Sequence, residues 1–89
     1  MRTYEELIKE ALDIQNACNL SGVVHTFSRA ITDLREILSK EGKFSTEAMN
    51  GHPVSILYSS KIASLTMSED KFHYAYSWSL DMIEGIRKE

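Results

Sequence analysis

Cysteine, proline and glycine are all scarce in this chain, at one, one and four of 89 residues. The single thiol, Cys18, rules out an internal disulfide and any zinc site that draws two or more cysteines from one chain. No apolar run approaches the roughly 20 residues of a membrane span, and the opening Met-Arg-Thr-Tyr-Glu-Glu lacks the apolar core of a signal peptide. Basic residues are outnumbered, 10 Lys and Arg against 13 Asp and Glu, and they are scattered. A protein that coats nucleic-acid backbones carries a basic patch instead. A cytosolic protein with a reduced thiol is the simplest expectation.

A chain of 89 residues makes one domain, and a domain of that size hides only roughly 60 to 65% of the surface its unfolded chain exposes. Without disulfide or metal, self-association is the remaining source of extra buried surface. The fold class expected is all-α, a small bundle of about four helices assembled as a homo-oligomer.

Four helical segments carry that expectation. Thr3 and Glu6 have the spacing of a capping box and open a first helix from about Tyr4 to Cys18. Its apolar face takes Tyr4, Leu7, Ile8, Ala11, Leu12, Ile14 and Cys18, with Gln15 as a polar exception among them. The second helix runs from about Gly22 to Lys40, with Ser21 or Asn19 as N-cap and Gly42 as C-terminal stop. Val24, Phe27, Ile31, Leu34 and Leu38 form its stripe, flanked by Val23, Ala30 and Ile37, and a face that broad calls for partners on two sides. Glu41 to Pro53 is the longest connection, with a possible helical turn at Ser45 to Met49. Pro53, the only proline, suits the first position of a third helix reaching about Met67. That helix is apolar on two faces, Val54, Leu57, Tyr58, Ile62 and Leu65 on one and Ile56, Ala63 and Met67 on the other. It is therefore expected between neighbours. Ser68 caps a last helix, with Glu69 and Asp70 in its first turn and Arg87 and Lys88 in its last complementing the dipole. Phe72, Tyr74, Tyr76, Trp78 and Leu80 alternate as a strand would, but the flanking caps favour a helix.

Catalytic signatures are lacking. His25, His52 and His73 include no pair at the i, i+4 spacing of a helical zinc site. Serine is abundant without a Gly-x-Ser-x-Gly elbow. Cys18 with His25 is a conceivable nucleophile pair, yet a thiol on a buried helix face behaves as a small hydrophobe. No catalytic residue, metal or cofactor is expected.

Binding is the remaining class. The Asn19-Leu20-Ser21-Gly22 helix start offers free N–H groups and the positive end of a dipole, a setting that accepts phosphate or carboxylate. Asn19, Ser21, Gly22 and Arg29 are the expected anion holders, with His25 beside Arg29 on the polar side of the same helix. The second polar helix start, Asn50-Gly51-His52, with Tyr58 and Lys61 beyond it, is expected to complete the pocket. Gln15 and Lys61 both project from apolar faces and must find partners in each other, in another subunit or in a ligand. The functional expectation is a small non-enzymatic protein that sequesters or senses a phosphorylated small molecule or nucleotide at helix N-termini near an oligomer interface. Its size suits an accessory protein of a phage or mobile element. The alternative is a protein-interaction module, an inhibitor or adaptor working through an exposed aromatic last helix. Partners are therefore a second copy, a phosphorylated small molecule or another protein, with neither membrane nor nucleic acid.

Overall fold

The computed structural model describes residues 2–67 and 69–88. Its elements are α1 (Tyr4–Asp13), a 3₁₀ turn (Ile14–Asn16), α2 (Leu20–Lys40), α3 (Thr46–Asn50), α4 (Pro53–Thr66) and α5 (Glu69–Lys88), with no strand among the described residues. The alternating aromatics from Phe72 to Leu80 are therefore helical. Ser68, the expected cap of α5, lies outside the described residues, as do the side chains of Arg87 and Lys88.

The starts follow local chemistry closely. Thr3 and Glu6 form the capping box of α1, the Asn19 side chain accepts from the Gly22 N–H at the start of α2, and Ser45 caps α3 through the Ala48 N–H. Pro53 opens α4 at the position where its missing N–H costs nothing. At the end of α2, the Gly42 N–H donates to the Ser39 carbonyl and the Lys43 N–H to the Leu38 carbonyl, which is the Schellman arrangement. Gly42 has φ +71°, the left-handed conformation that this arrangement requires.

Two glycines thus give opposite predictions. Gly42→Ala forces a Cβ into the left-handed region and should destabilise by about 1 kcal/mol. Gly85 lies inside α5 with nothing within 4 Å of where a Cβ would stand, so Gly85→Ala should stabilise by about 0.5 to 1 kcal/mol through helix propensity alone. Urea midpoints of the two variants against the parent check both signs.

The first helix is shorter than its periodicity suggests. After Asp13 the backbone tightens into the 3₁₀ turn, then Ala17 (φ −74°, ψ 140°) and Asn19 (φ −110°, ψ 109°) are extended to reverse the chain into α2. Cys18 falls on that reversal and is exposed, a correction to its expected place on a buried helix face.

α4 is the central element. Val54, Leu57 and Tyr58 are fully buried among Leu7, Ile8 and Ala11 of α1 and Val23, Ala30 and Leu34 of α2. Its other side receives α5, which packs mainly against it. The two-faced pattern of α4 suits this position between neighbours, except that Met67, expected on its second face, lies past the helix end and is 85% exposed. In α5, Ser79 is fully buried and its Oγ donates to the Ala75 carbonyl, satisfying itself within its own helix.

The stripe of α2 is rotated from the one read in sequence. Val23, Ala30, Leu34 and Leu38 are buried, Phe27 and Ile31 pack at the margin of the core, and Val24 is 42% exposed. A wide apolar face can be buried along either edge, and the choice belongs to α1 and α4, not to α2.

Candidate functional site

The residues expected to form one anion pocket are distributed over three separate places. At the start of α2, the Asn19 Oδ1 occupies the Gly22 N–H at 3.3 Å, and the Thr26 hydroxyl donates to the Gly22 carbonyl at 2.9 Å. Ser21 and His25 are exposed. Arg29 stands two turns further along, lining a shallow cleft of about 560 Å³ with Arg2, Glu6, Thr32 and Asp33. Ser21, His25 and Arg29 do share one exposed stripe of α2 at four-residue spacing. They are not joined there by His52 or Lys61, and Tyr58 lies beneath the cleft and does not line it.

Tyr58 belongs to a polar network under that cleft. Its hydroxyl donates to Glu10 Oε1 at 2.9 Å, Glu10 Oε2 accepts from Arg2 Nη1, and Arg2 Nε donates to Asp33 Oδ2 at 2.8 Å. Phe27 stacks on the Tyr58 ring with centroids 5.2 Å apart. Burial, then the Glu10 hydrogen bond, push the phenol's titration well above its usual range. The paired carboxylates, Glu10 first, hold Arg2 more firmly protonated. Arg2 Nη2 is buried without an acceptor among the described residues. Arg2 and Glu10 carry no local sequence signal, because a residue before a capping box and a charged residue on a short helix both look solvated.

His52 works as an N-cap. Its Nδ1 accepts from the Val54 N–H at 3.2 Å, which leaves the proton on Nε2 to be donated to the Tyr4 oxygen at 2.7 Å. The rings also meet edge to face at 5.6 Å between centroids. Burial pushes the Tyr4 phenol up to about 12 and the His52 imidazole below its ordinary value. Protonation at Nδ1 would set two N–H groups against each other. Since the folded state holds the imidazole neutral and the unfolded chain titrates near 6.5, acidification favours the unfolded chain. Stability from His52 is complete above that value and falls as pH drops below it, by up to about 1.4 kcal/mol per pH unit, until the folded imidazole also protonates. Urea midpoints at pH 7.5 and 5.5 should show a larger loss for the parent than for His52→Asn, which keeps a capping oxygen that does not titrate. Equal losses would mean that His52 is not held neutral.

Lys61 and Gln15 do meet, through the backbone of one and the side chain of the other. Lys61 Nζ donates to the Gln15 carbonyl at 3.0 Å and lies 5.3 Å from the Phe72 ring centroid, while the Tyr76 hydroxyl donates to Gln15 Oε1. An ammonium on the last carbonyls of a helical segment offsets its negative dipole end. This contact fastens the end of α1 to α4 and α5. Cys18 and His73, not Cys18 and His25, border the same cleft as Lys61.

The remaining features are apolar. Tyr74, Trp78 and Met82 are 78, 38 and 44% exposed and follow one another at four-residue spacing on the outer side of α5. Between α2 and α3 a groove of about 480 Å³ is lined by Phe27, Ser28, Ile31, Met49 and Asn50. Leu20 and Val24, both partly exposed, continue that edge of α2 toward its start. Among the described residues no group of three or more His, Cys, Asp or Glu could hold a metal ion, and no helix is long and apolar enough to cross a membrane. Comparison with protein-family models, with curated proteins and with solved structures returned no match in any of the three.

Proposed function

We propose that this chain is a non-enzymatic protein-interaction domain that binds through the outer face of α5. The observation that carries this reading is the ridge of a largely exposed Tyr74 with partly exposed Trp78 and Met82 on a helix whose opposite side is packed on α4. Tyrosine and tryptophan supply large contact area with few rotatable bonds, and they dominate interface energetics. A core needing those rings would have buried them. The test is co-purification of tagged protein from its own cells, comparing the parent with Trp78→Ala and Tyr74→Ala. Specific stoichiometric partners should be lost from both variants while their melting temperatures stay within a few degrees of the parent. Undiminished capture by both would overturn the reading.

A second reading, the binding of a phosphorylated small molecule or nucleotide, is favoured by one observation. Arg29 makes no hydrogen bond or ion pair among the described residues, and it lines the cleft beside Arg2 and Thr32 on the same stripe as His25 and Ser21. Its planar fork suits phosphate, although Glu6 and Asp33 line the same cleft and oppose an anion. Nucleotides and inorganic phosphate should raise the melting temperature of the parent and not of Arg29→Ala. No shift with any anion removes this reading.

A further inference from the structure

We infer that the α5 ridge of one copy docks in the α2–α3 groove of a second copy, a head-to-tail contact that rests on reading the outer face of α5 as the interaction surface. Both halves of the contact are present on one chain. The ridge presents Tyr74, Trp78 and Met82, and the groove is an apolar trough walled by Phe27, Ile31 and Met49, with Val24 and Leu20 extending one wall. A helix laid in such a trough reads as anchors three or four residues apart, and the ridge supplies two four-residue steps.

Charge complementarity supports this pairing. Asp70 and Asp81 are exposed beside the ridge and make no ion pair among the described residues. Lys71, three residues before Tyr74, is an exposed cation on the same side of α5. On the groove side, Arg35 stands one turn beyond Ile31 on α2, exposed and held over the Phe44 ring at 5.1 Å. Glu47 of α3 is two residues from Met49, so it projects to the other side of that short helix. Gly85 continues the ridge one turn beyond Met82 with open space where a Cβ would be. That lets a partner's wall approach α5 closely at its far end.

Area is consistent with a concentration-dependent assembly. The exposed parts of the three ridge side chains amount to roughly 400 Å², half of the roughly 800 Å² that each partner contributes to a standard interface. Groove walls and flanking polar residues must supply the rest. A head-to-tail contact uses a different patch on each copy, so it either closes as a reciprocal pair with both grooves filled or propagates to a ring or a chain.

Light scattering coupled to size exclusion, from micromolar to millimolar protein, tests this directly. The parent should assemble as its concentration rises, to a dimer or beyond, and Trp78→Asp on the ridge and Val24→Asp on the groove edge should each weaken assembly at least tenfold. Mixing the two variants is decisive. Trp78→Asp keeps its groove and Val24→Asp keeps its ridge, so an equimolar mixture should form a one-to-one heterodimer and nothing larger. Circular dichroism of each variant confirms that it is folded, and Arg35→Glu serves as a second groove variant that leaves the apolar packing untouched. A parent that is monomeric throughout, or a parent dimer that survives both groove variants, overturns head-to-tail docking. Loss of a different protein from Trp78→Ala in co-purification would then still support the interaction reading. Failure of that experiment too would remove both.

Discussion

Tyr58→Ala is expected to be among the most destabilising single substitutions in this protein, lowering the unfolding free energy by about 4 kcal/mol. The side chain is fully buried, stacks on Phe27 and donates to Glu10. Truncation therefore removes a large apolar ring, leaves a cavity at the centre of α4 and strips Glu10 of one donor. A domain of this length holds only about 4 to 13 kcal/mol in total, so the variant should lose about a third or more of its stability. Tyr58→Phe separates the causes. It keeps the ring and loses only the hydroxyl, and its cost should be about 1 to 2 kcal/mol, the range for a hydrogen bond to a charged group. Urea unfolding of parent and both variants gives the two numbers. A Phe variant as unstable as the Ala variant would show that the hydrogen bond, not the packing, is what Tyr58 contributes.

Glu10→Ala should have the second largest effect, about 2 to 3 kcal/mol. Glu10 accepts from Arg2 and from Tyr58, and removing it leaves the Arg2 guanidinium with Asp33 alone and the Tyr58 hydroxyl with no partner. Breaking a fully buried ion pair costs about 3 to 5 kcal/mol. The Arg2 and Glu10 side chains retain 19 and 27% of their exposure, so solvent screening reduces that figure. A double-mutant cycle with Tyr58→Phe measures the coupling. Strictly additive losses would mean that Glu10 and Tyr58 do not act as one network.

Local signals suffice where the physics is local. Capping box, Asn19 cap, Pro53 start and Gly42 stop each depend on residues within one turn, and each is found at its place. Apolar periodicity located the helices and identified α4 as the two-sided one. It did not place the end of α1 or the buried edge of α2, because chain reversal at Ala17 and the angle of α4 are settled by distant packing. Among the site residues, Lys61 and Gln15 were visible as polar exceptions on apolar faces, and they do meet. Arg2, Glu10 and Asp33 were not visible. Their partners are 8 to 48 residues away in sequence, and nothing about an isolated charged residue announces that it will be drawn inward.

By itself, then, the sequence determined that the chain is helical, where its helices begin, and that one of them must be surrounded. Hydrogen bonding within a turn and the 3.6-residue period are properties of neighbours along the chain, and they need no knowledge of the rest. Only the tertiary structure decided which edge of α2 is buried, which polar groups join beneath the Arg29 cleft, and which aromatics of α5 are left outside. Those outcomes depend on how much apolar surface α4 can cover. It covers one side of α5 and leaves Tyr74, Trp78 and Met82 to solvent, or to a partner.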